Sequence, residues 1–275
     1  ALVIVYAAEI AGWLRTIVAS WRAGERPSET LSFQNVNTFA GLVVATTPLA
    51  WLLVRSDWRW RGALVGLQLV CGGFLLWLFA SRTAQLAAAA VGVAALAGQR
   101  RAGMRWLAAV ALVACVAAAP SLNPRFRDGT MWTLHNRAQL WRGTVTLIAA
   151  RPLFGYGWGD KTFQPVYAAH DPDRPEDWPH THNLALQVAF GVGVVGLALY
   201  AATFCLVLGP LWRARRAADP DRARVARVLL LSAVAIAVFS LADVPRGPFH
   251  LYLWAWWGAA LALVGVRSGP PAAPS

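Results

Sequence analysis

Apolar runs of about 20 residues, the length that crosses a bilayer as a helix, alternate with short polar breaks along most of this chain. The runs are Leu2 to Val18, Asn37 to Val54, Gly62 to Ala80, Thr83 to Ala97, Trp106 to Ala119, Leu184 to Leu211, Val228 to Ala242 and Phe249 to Val266. They predict about eight spans. The first run carries Glu9 and Arg15, and only Ser81-Arg82 separates the third from the fourth. Residues 120–182 form the one long stretch without such a run. Within it Asn136 to Ala150 has helical period, placing Arg137, Trp141, Thr144 and Ile148 on one stripe and Arg142 on another face. Arg151-Pro152 ends that helix, and Gly155, Gly157 and Gly159 make a loop able to pass close to another segment. Asp219-Pro220-Asp221 reads as a helix break or cap, and the Pro/Ala-rich tail from Ser268 to Ser275 as disordered.

Composition moves this pattern firmly to the membrane. The chain is 57% hydrophobic and 14% charged, with 15 tryptophans and a mean hydropathy of +0.47; a soluble core needs less apolar surface, and Trp favours the bilayer interface. The net charge of +12 raises nucleic acid as a partner, but the arginines fall in short loops rather than along one face, which is the footprint of topology. Arg55, Arg59, Arg61, Arg100, Arg101, Arg105, the arginines from Arg213 to Arg227 and Arg267 all fall on one side. The positive-inside rule makes that side cytoplasmic. Residues 120–182, Arg82 and the loop from Asp243 to Pro248 then share the outer face. The expectation is all-α: a polytopic transmembrane helix bundle forming a single membrane-embedded domain over 1–275, with 120–182 an outer loop region containing short helices. Cys71, Cys115 and Cys205 lie within apolar runs and read as packing residues, with no disulfide or metal framework. The chain opens on Ala1 in mid-helix without a signal-type segment, so further helices are expected ahead of it.

Few residues could carry chemistry. Arg82, between two apolar runs on the outer face, is either a snorkelling hairpin arginine or a cation held to meet an anion. Arg137 with Trp141 is either a phosphate-gripping pair or part of an amphipathic helix lying on the bilayer. His180 and His182 follow Pro179; in an extended stretch they point opposite ways, so one at most faces a site. Imidazole suits proton abstraction near neutrality, although an ordinary loop histidine is the bland alternative. A zinc site built from this pair with His170 or His135 has weak spacing and no cysteine, and none is expected. Asp171, Asp173, Glu176 and Asp177 alternate with prolines as a solvated loop would. Gly191-Val192-Gly193-Val194-Val195-Gly196 matches a dinucleotide fingerprint by letter only, since no strand precedes it; small residues there let helices approach.

In their order these features resemble the O-antigen ligase and O-antigen polymerase family of bacterial envelope glycosyltransferases. Four pieces carry the resemblance: Asn35-Val36-Asn37 opening a span, Ser81-Arg82 at a hairpin, Asn136-Arg137 and Trp141 leading to Pro152-Leu153-Phe154-Gly155-Tyr156-Gly157, and His182-Asn183-Leu184 leading to Gly193 and Gly196. The resemblance implies transfer of a glycan from undecaprenyl pyrophosphate to an acceptor hydroxyl, without metal or cofactor, on the periplasmic face of the bacterial inner membrane. In ligases the acceptor is a sugar of the lipid A core. Carried over by motif, Arg82 and Arg137 hold the pyrophosphate and His182 is the base, with His180, Asn183, Trp141 and Asn37 as secondary candidates. The chemistry agrees independently. Breaking a sugar–pyrophosphate bond builds negative charge that needs a cation, and no carboxylate cluster that could hold Mg²⁺ is evident at a membrane boundary. Polymerase or protein O-oligosaccharyltransferase activity shares the same motifs. A lipid-phosphate flippase, which should show repeated halves, and a non-catalytic scaffold are the readings from other classes.

Overall fold

A computed structural model describes residues 36–53, 61–79, 81–97, 130–159, 161–172, 178–246 and 248–265, with scattered positions from 12 to 23. The predicted fifth span, most of the first, the acidic residues 173, 176 and 177, and the tail lie outside the described residues. Among those described the chain is helical, with no strand: α1 Val36–Leu53, α2 Arg61–Phe79, α3 Arg82–Ala97, α4 Thr130–Ala150, α5 Phe163–His170, α6 Leu184–Ala214, α7 Pro220–Ser240 and α8 Pro248–Gly265. By length and apolarity α6 and α7 suffice to cross a membrane, and α1, α2 and α8 contain shorter apolar stretches.

The ends of these helices have local causes. The Asn183 side chain accepts the Leu186 N–H at 3.1 Å and so caps α6. Asp219 accepts the Asp221 N–H at 3.0 Å ahead of Pro220, whose fixed φ suits a first helical position. α7 therefore starts eight residues before the apolar run at Val228, its charged first turns being helical all the same. α4 likewise begins at Thr130, six residues before the stripe at Asn136.

One departure from regular helix organises the rest. α6 breaks at Gly193, where φ is 69° and ψ −173°, and the loop after α4 fills the break. Tyr156 N–H donates to the Phe190 carbonyl at 2.9 Å, Gly157 N–H to Gly191 at 2.9 Å, and Val194 N–H to Pro152 at 2.7 Å. Backbone groups that a kink would strand are thereby paired. Gly155 and Gly193 both sit at positive φ, and a Cβ on either would collide with the opposing backbone, Phe190 O and Leu153 O respectively. The small residues of the apparent fingerprint thus admit a loop, where the sequence suggests close helix packing.

Two clusters make the core. In the larger, Val36, Ala40 and Val44 of α1 meet Ala84 and Ala87 of α3, Ile236 and Phe239 of α7, and Phe249 and Trp256 of α8. Hydroxyls tie the same helices, Ser232 Oγ and Tyr252 Oη both donating to the Ala45 carbonyl, at 2.8 and 2.7 Å. The smaller cluster holds Leu140 and Leu147 of α4 and Phe163 and Tyr167 of α5 against Phe190 of α6. Phe190 meets Phe163 edge-on at 5.0 Å and stacks on Tyr156 at 4.9 Å. This second cluster fixes α4 beside the start of α6, and with it the stripe that carries Arg137.

Candidate functional site

The site forms where three distant segments meet: α4, the turn before α6, and the turn after α7. Asn183, besides capping α6, donates from Nδ2 to the Leu241 carbonyl at 2.9 Å. Arg137 donates to the next carbonyl, Ala242, at 2.6 Å. The open end of α7 is thus held by two side chains that the sequence singled out, both satisfying carbonyls left over at a helix terminus. Trp141, one turn beyond Arg137, donates from Nε1 to the Thr181 carbonyl at 2.9 Å. It braces the histidine turn.

That turn does not run extended. His182 takes φ 50°, which breaks the two-residue alternation, and the rings of His180 and His182 come to 4.1 Å between centroids. The expectation that they point opposite ways is therefore corrected: both belong to one cluster. The His182 N–H donates to His180 Nδ1 at 3.1 Å, so the proton of a neutral His180 ring resides on Nε2. His180 is buried, and burial first, then the neighbouring His182, lowers its pKa to about 3, with Asp243 opposing. It is a neutral N–H donor at physiological pH.

His182 has a different neighbour. Its Nδ1 lies 3.4 Å from Oδ1 of Asp243, a carboxylate only 1% exposed. At that length the contact is an ion-pair approach rather than a well-formed hydrogen bond. Asp243 Oδ1 also accepts the Val244 N–H at 2.8 Å, while Oδ2 has no hydrogen-bond partner among the described residues. Burial pushes this carboxyl up, but the contact with His182, the neighbouring His180 and the Val244 N–H pull it lower still, below the usual carboxylate range. Asp243 is the residue sequence reasoning missed. Its signal was a lone acid in the short turn between the last two apolar runs, on the face already assigned to Arg82.

Arg137 is half-buried. Desolvation lowers its pKa, Asp243 raises it and the neighbouring charge of Arg82 lowers it again, yet a guanidinium remains charged at neutral pH. Arg82 opens α3 behind Ser81, whose Oγ accepts the Ala84 N–H at 3.4 Å. Arg82, Arg137, His180, His182 and Asp243 therefore gather in one region. Asn37, the second residue of α1, is half-buried at the start of that helix.

Neither proposed third histidine joins the pair. His135 contacts Gln139 at 2.7 Å, and His170 packs edge-on to Tyr167 at 6.3 Å. Asp243 takes their place: one ligand-type atom from each of His180, His182 and Asp243 lies within 4.8 Å of the others. The fit to a divalent cation is poor, because the carboxylate already faces Arg137 and the guanidinium groups would repel added positive charge.

Beside the histidines a cavity of about 410 Å³ runs between the bent part of α6 and α8. His180 and Arg246 line it, and Tyr200, Leu253 and Trp257 make much of its apolar wall.

Residues 67–201 match the family model described as O-antigen ligase. Over that stretch the chain is similar to the O-antigen ligase family. No curated protein matches the chain. The O-antigen ligase match takes in Arg82, Arg137, His180, His182 and Asn183, and with them the loop and kink that lock α4 to α6. Asp243 and Arg246 come from beyond it. The side of the site that faces His182 Nδ1 is thus supplied by the part of the chain that the family match leaves out.

Proposed function

We propose that this chain is a multi-pass glycosyltransferase of the bacterial inner membrane. It moves a glycan from undecaprenyl pyrophosphate to a hydroxyl of an acceptor, a lipid A-core sugar, on the periplasmic face. The family match supports glycosyltransferase chemistry of the O-antigen ligase type, and the apolar helices support a membrane setting. The observation that carries the mechanism is the 3.4 Å approach of Asp243 to His182 Nδ1, with Arg137 held on the adjoining Ala242 carbonyl.

A buried carboxylate at Nδ1 favours the tautomer that carries its proton there and leaves the Nε2 lone pair for a substrate. The acceptor hydroxyl oxygen attacks the anomeric carbon, and its proton passes to His182 Nε2. The bond from that carbon to the pyrophosphate oxygen breaks, its electron pair staying on the pyrophosphate. Arg82 and Arg137 stabilise the charge that develops there, as fixed cations do best in a partly desolvated site. A direct displacement inverts the anomeric centre, which NMR of the product linkage reads.

The test is a transfer assay with a defined carrier-linked glycan and, in parallel, a lipid A-core acceptor, a glycan-repeat acceptor and a protein acceptor. Transfer by the wild type and its loss in His182→Ala and Arg137→Ala support the reading, and the acceptor used identifies the branch of the family. Transfer that survives both substitutions in folded protein removes the mechanism.

A further inference from the structure

The cavity between α6 and α8 touches one half of the cluster. His180 and Arg246 line it; Arg82, Arg137 and His182 do not. The division matters because the two substrates have different needs. A donor must bring its pyrophosphate to Arg82 and Arg137, whereas an acceptor must bring its hydroxyl to the histidine side. The cavity opens on the histidine side, one ring away from His182, since the two imidazole centroids are 4.1 Å apart.

Away from His180 and Arg246 the wall is mostly apolar and aromatic, passing Tyr200 and Thr203 of α6 and Leu253 and Trp257 of α8, with Gln187 and His250 as further polar side chains. A peptide lying there would strand backbone N–H and C=O groups against a surface with few partners, and a free sugar would strand its hydroxyls. A hydrocarbon chain strands nothing. At the polar end Arg246 offers a permanent cation and His180 a neutral Nε2–H, a pair complementary to phosphate oxygens.

We propose that this cavity seats the chain of a lipid-borne acceptor, with a phosphate of its headgroup against Arg246 and His180. The assignment to the acceptor rests on the transfer reading above; the lipid site itself does not.

Photolabelling tests the two separately. Wild-type protein in lipid nanodiscs is irradiated with a phosphorylated acceptor glycolipid carrying a diazirine on its acyl chain, and in parallel with a carrier lipid carrying the diazirine on its isoprenoid chain. The acceptor probe should label the peptides holding Tyr200–Thr203 and Leu253–Trp257, and the carrier probe should not. Labelling elsewhere, or labelling of these peptides by the carrier probe, overturns the proposal. If wild type labels as expected but transfers no glycan to any acceptor, the lipid site stands and the transferase reading falls. In the transfer assay, Thr203→Trp should fill the cavity and raise the KM for the lipid acceptor roughly tenfold or more, leaving the KM for donor and for a lipid-free acceptor glycan unchanged. Arg246→Gln should do the same for the phosphorylated acceptor lipid and have a clearly smaller effect with its dephosphorylated form. Unchanged acceptor KM in both variants overturns the proposal.

Discussion

Asp243→Asn isolates the contribution of the missed carboxylate, because asparagine keeps the shape of the side chain and removes its charge. An asparagine oxygen can still accept the Val244 N–H, now held at 2.8 Å. What changes is the face toward His182. The amide either turns its NH₂ to Nδ1, driving the imidazole proton to Nε2 and leaving the base blocked, or offers a neutral oxygen that stabilises the imidazolium poorly. In serine proteases, where the carboxylate–histidine hydrogen bond is short, the same exchange lowers kcat about 10⁴-fold. Here the contact is 3.4 Å, against about 2.7–2.9 Å for a strong charge-assisted bond, so the coupling is weaker. The expected loss in kcat is roughly 10²- to 10³-fold, which is about 3–4 kcal/mol of barrier.

Stability moves as well, and must be kept apart from rate. The Asp243 pKa is depressed in the folded state, so its carboxylate contributes stability above the unfolded-state value and loses it as pH falls through the folded one. At neutral pH the substitution therefore costs about 1–3 kcal/mol, and kcat is measured well below the unfolding midpoint. The assay uses saturating donor and acceptor and follows the joined glycan by chromatography. The donor KM should hold or fall, since Arg137 loses an opposing anion. A kcat within about threefold of wild type in folded protein refutes the dyad. A raised donor KM with kcat intact would instead make Asp243 a prop for the arginines.

Arg137→Lys keeps the charge but not the planar fork, so one ammonium must serve both the Ala242 carbonyl and an anion; kcat/KM for the carrier-linked donor should drop about 10- to 100-fold, and parity with wild type would show that no bidentate contact is made. Gly193→Ala and Gly155→Ala both force a Cβ into backbone at positive φ, which should cost about 3 kcal/mol or more and lower the thermal midpoint sharply. Gly157→Ala, at φ 108° with nothing within 4 Å of its Cβ position, should cost only about 1–2 kcal/mol; equal losses at all three positions would refute the account of the loop. His180, with its pKa lowered from 6.5 to about 3 in the folded state, binds fewer protons folded than unfolded across that window. Stability should therefore fall with acidification below pH 6.5 by at most about 1.4 kcal/mol per pH unit. Thermal melts of wild type against His180→Gln between pH 7 and 4 should show this slope in the former and lose it in the latter.

Much of the helix layout could be read from the chain alone because each apolar run ends on an arginine, a proline or a polar cluster. α1, α2, α3 and α8 begin and end within a residue of the expected runs. The start of α7 was harder: its first turns are charged, and hydropathy does not report a helix that begins in water behind an Asp cap. The gathering of Arg82, Arg137 and His182 followed from motifs. The partnership of His182 with Asp243 did not, since it joins two turns far apart along the chain and the turn at Asp243 carries no motif. The mutual approach of the two imidazoles was hidden for another reason. A single left-handed residue at position 182 reverses the facing that period-two reasoning assigns, and histidine, unlike glycine, does not advertise such a backbone.

The kink in α6 explains why the loop, the histidines and the cavity occur together. Asn183 reaches the Leu241 carbonyl at 2.9 Å, so the start of α6 and the end of α7 are level, and residues 215–219 join the other two ends in a short turn. Yet α6 has 31 residues and α7 has 21. The difference, 31 − 21 = 10 residues, is about 15 Å of helix that two straight antiparallel rods could not absorb. The break in α6 comes at Gly193, ten residues into the helix. The same bend strands carbonyls at Phe190 and Gly191 for the glycine loop to bind, and Gly191 itself lines the cavity beside α8. A helical residue 193 would pair those carbonyls within α6 and leave the loop nothing to bind. The glycines of this motif accordingly shape the site by bending a helix, and the charged side chains reach it on the scaffold that results.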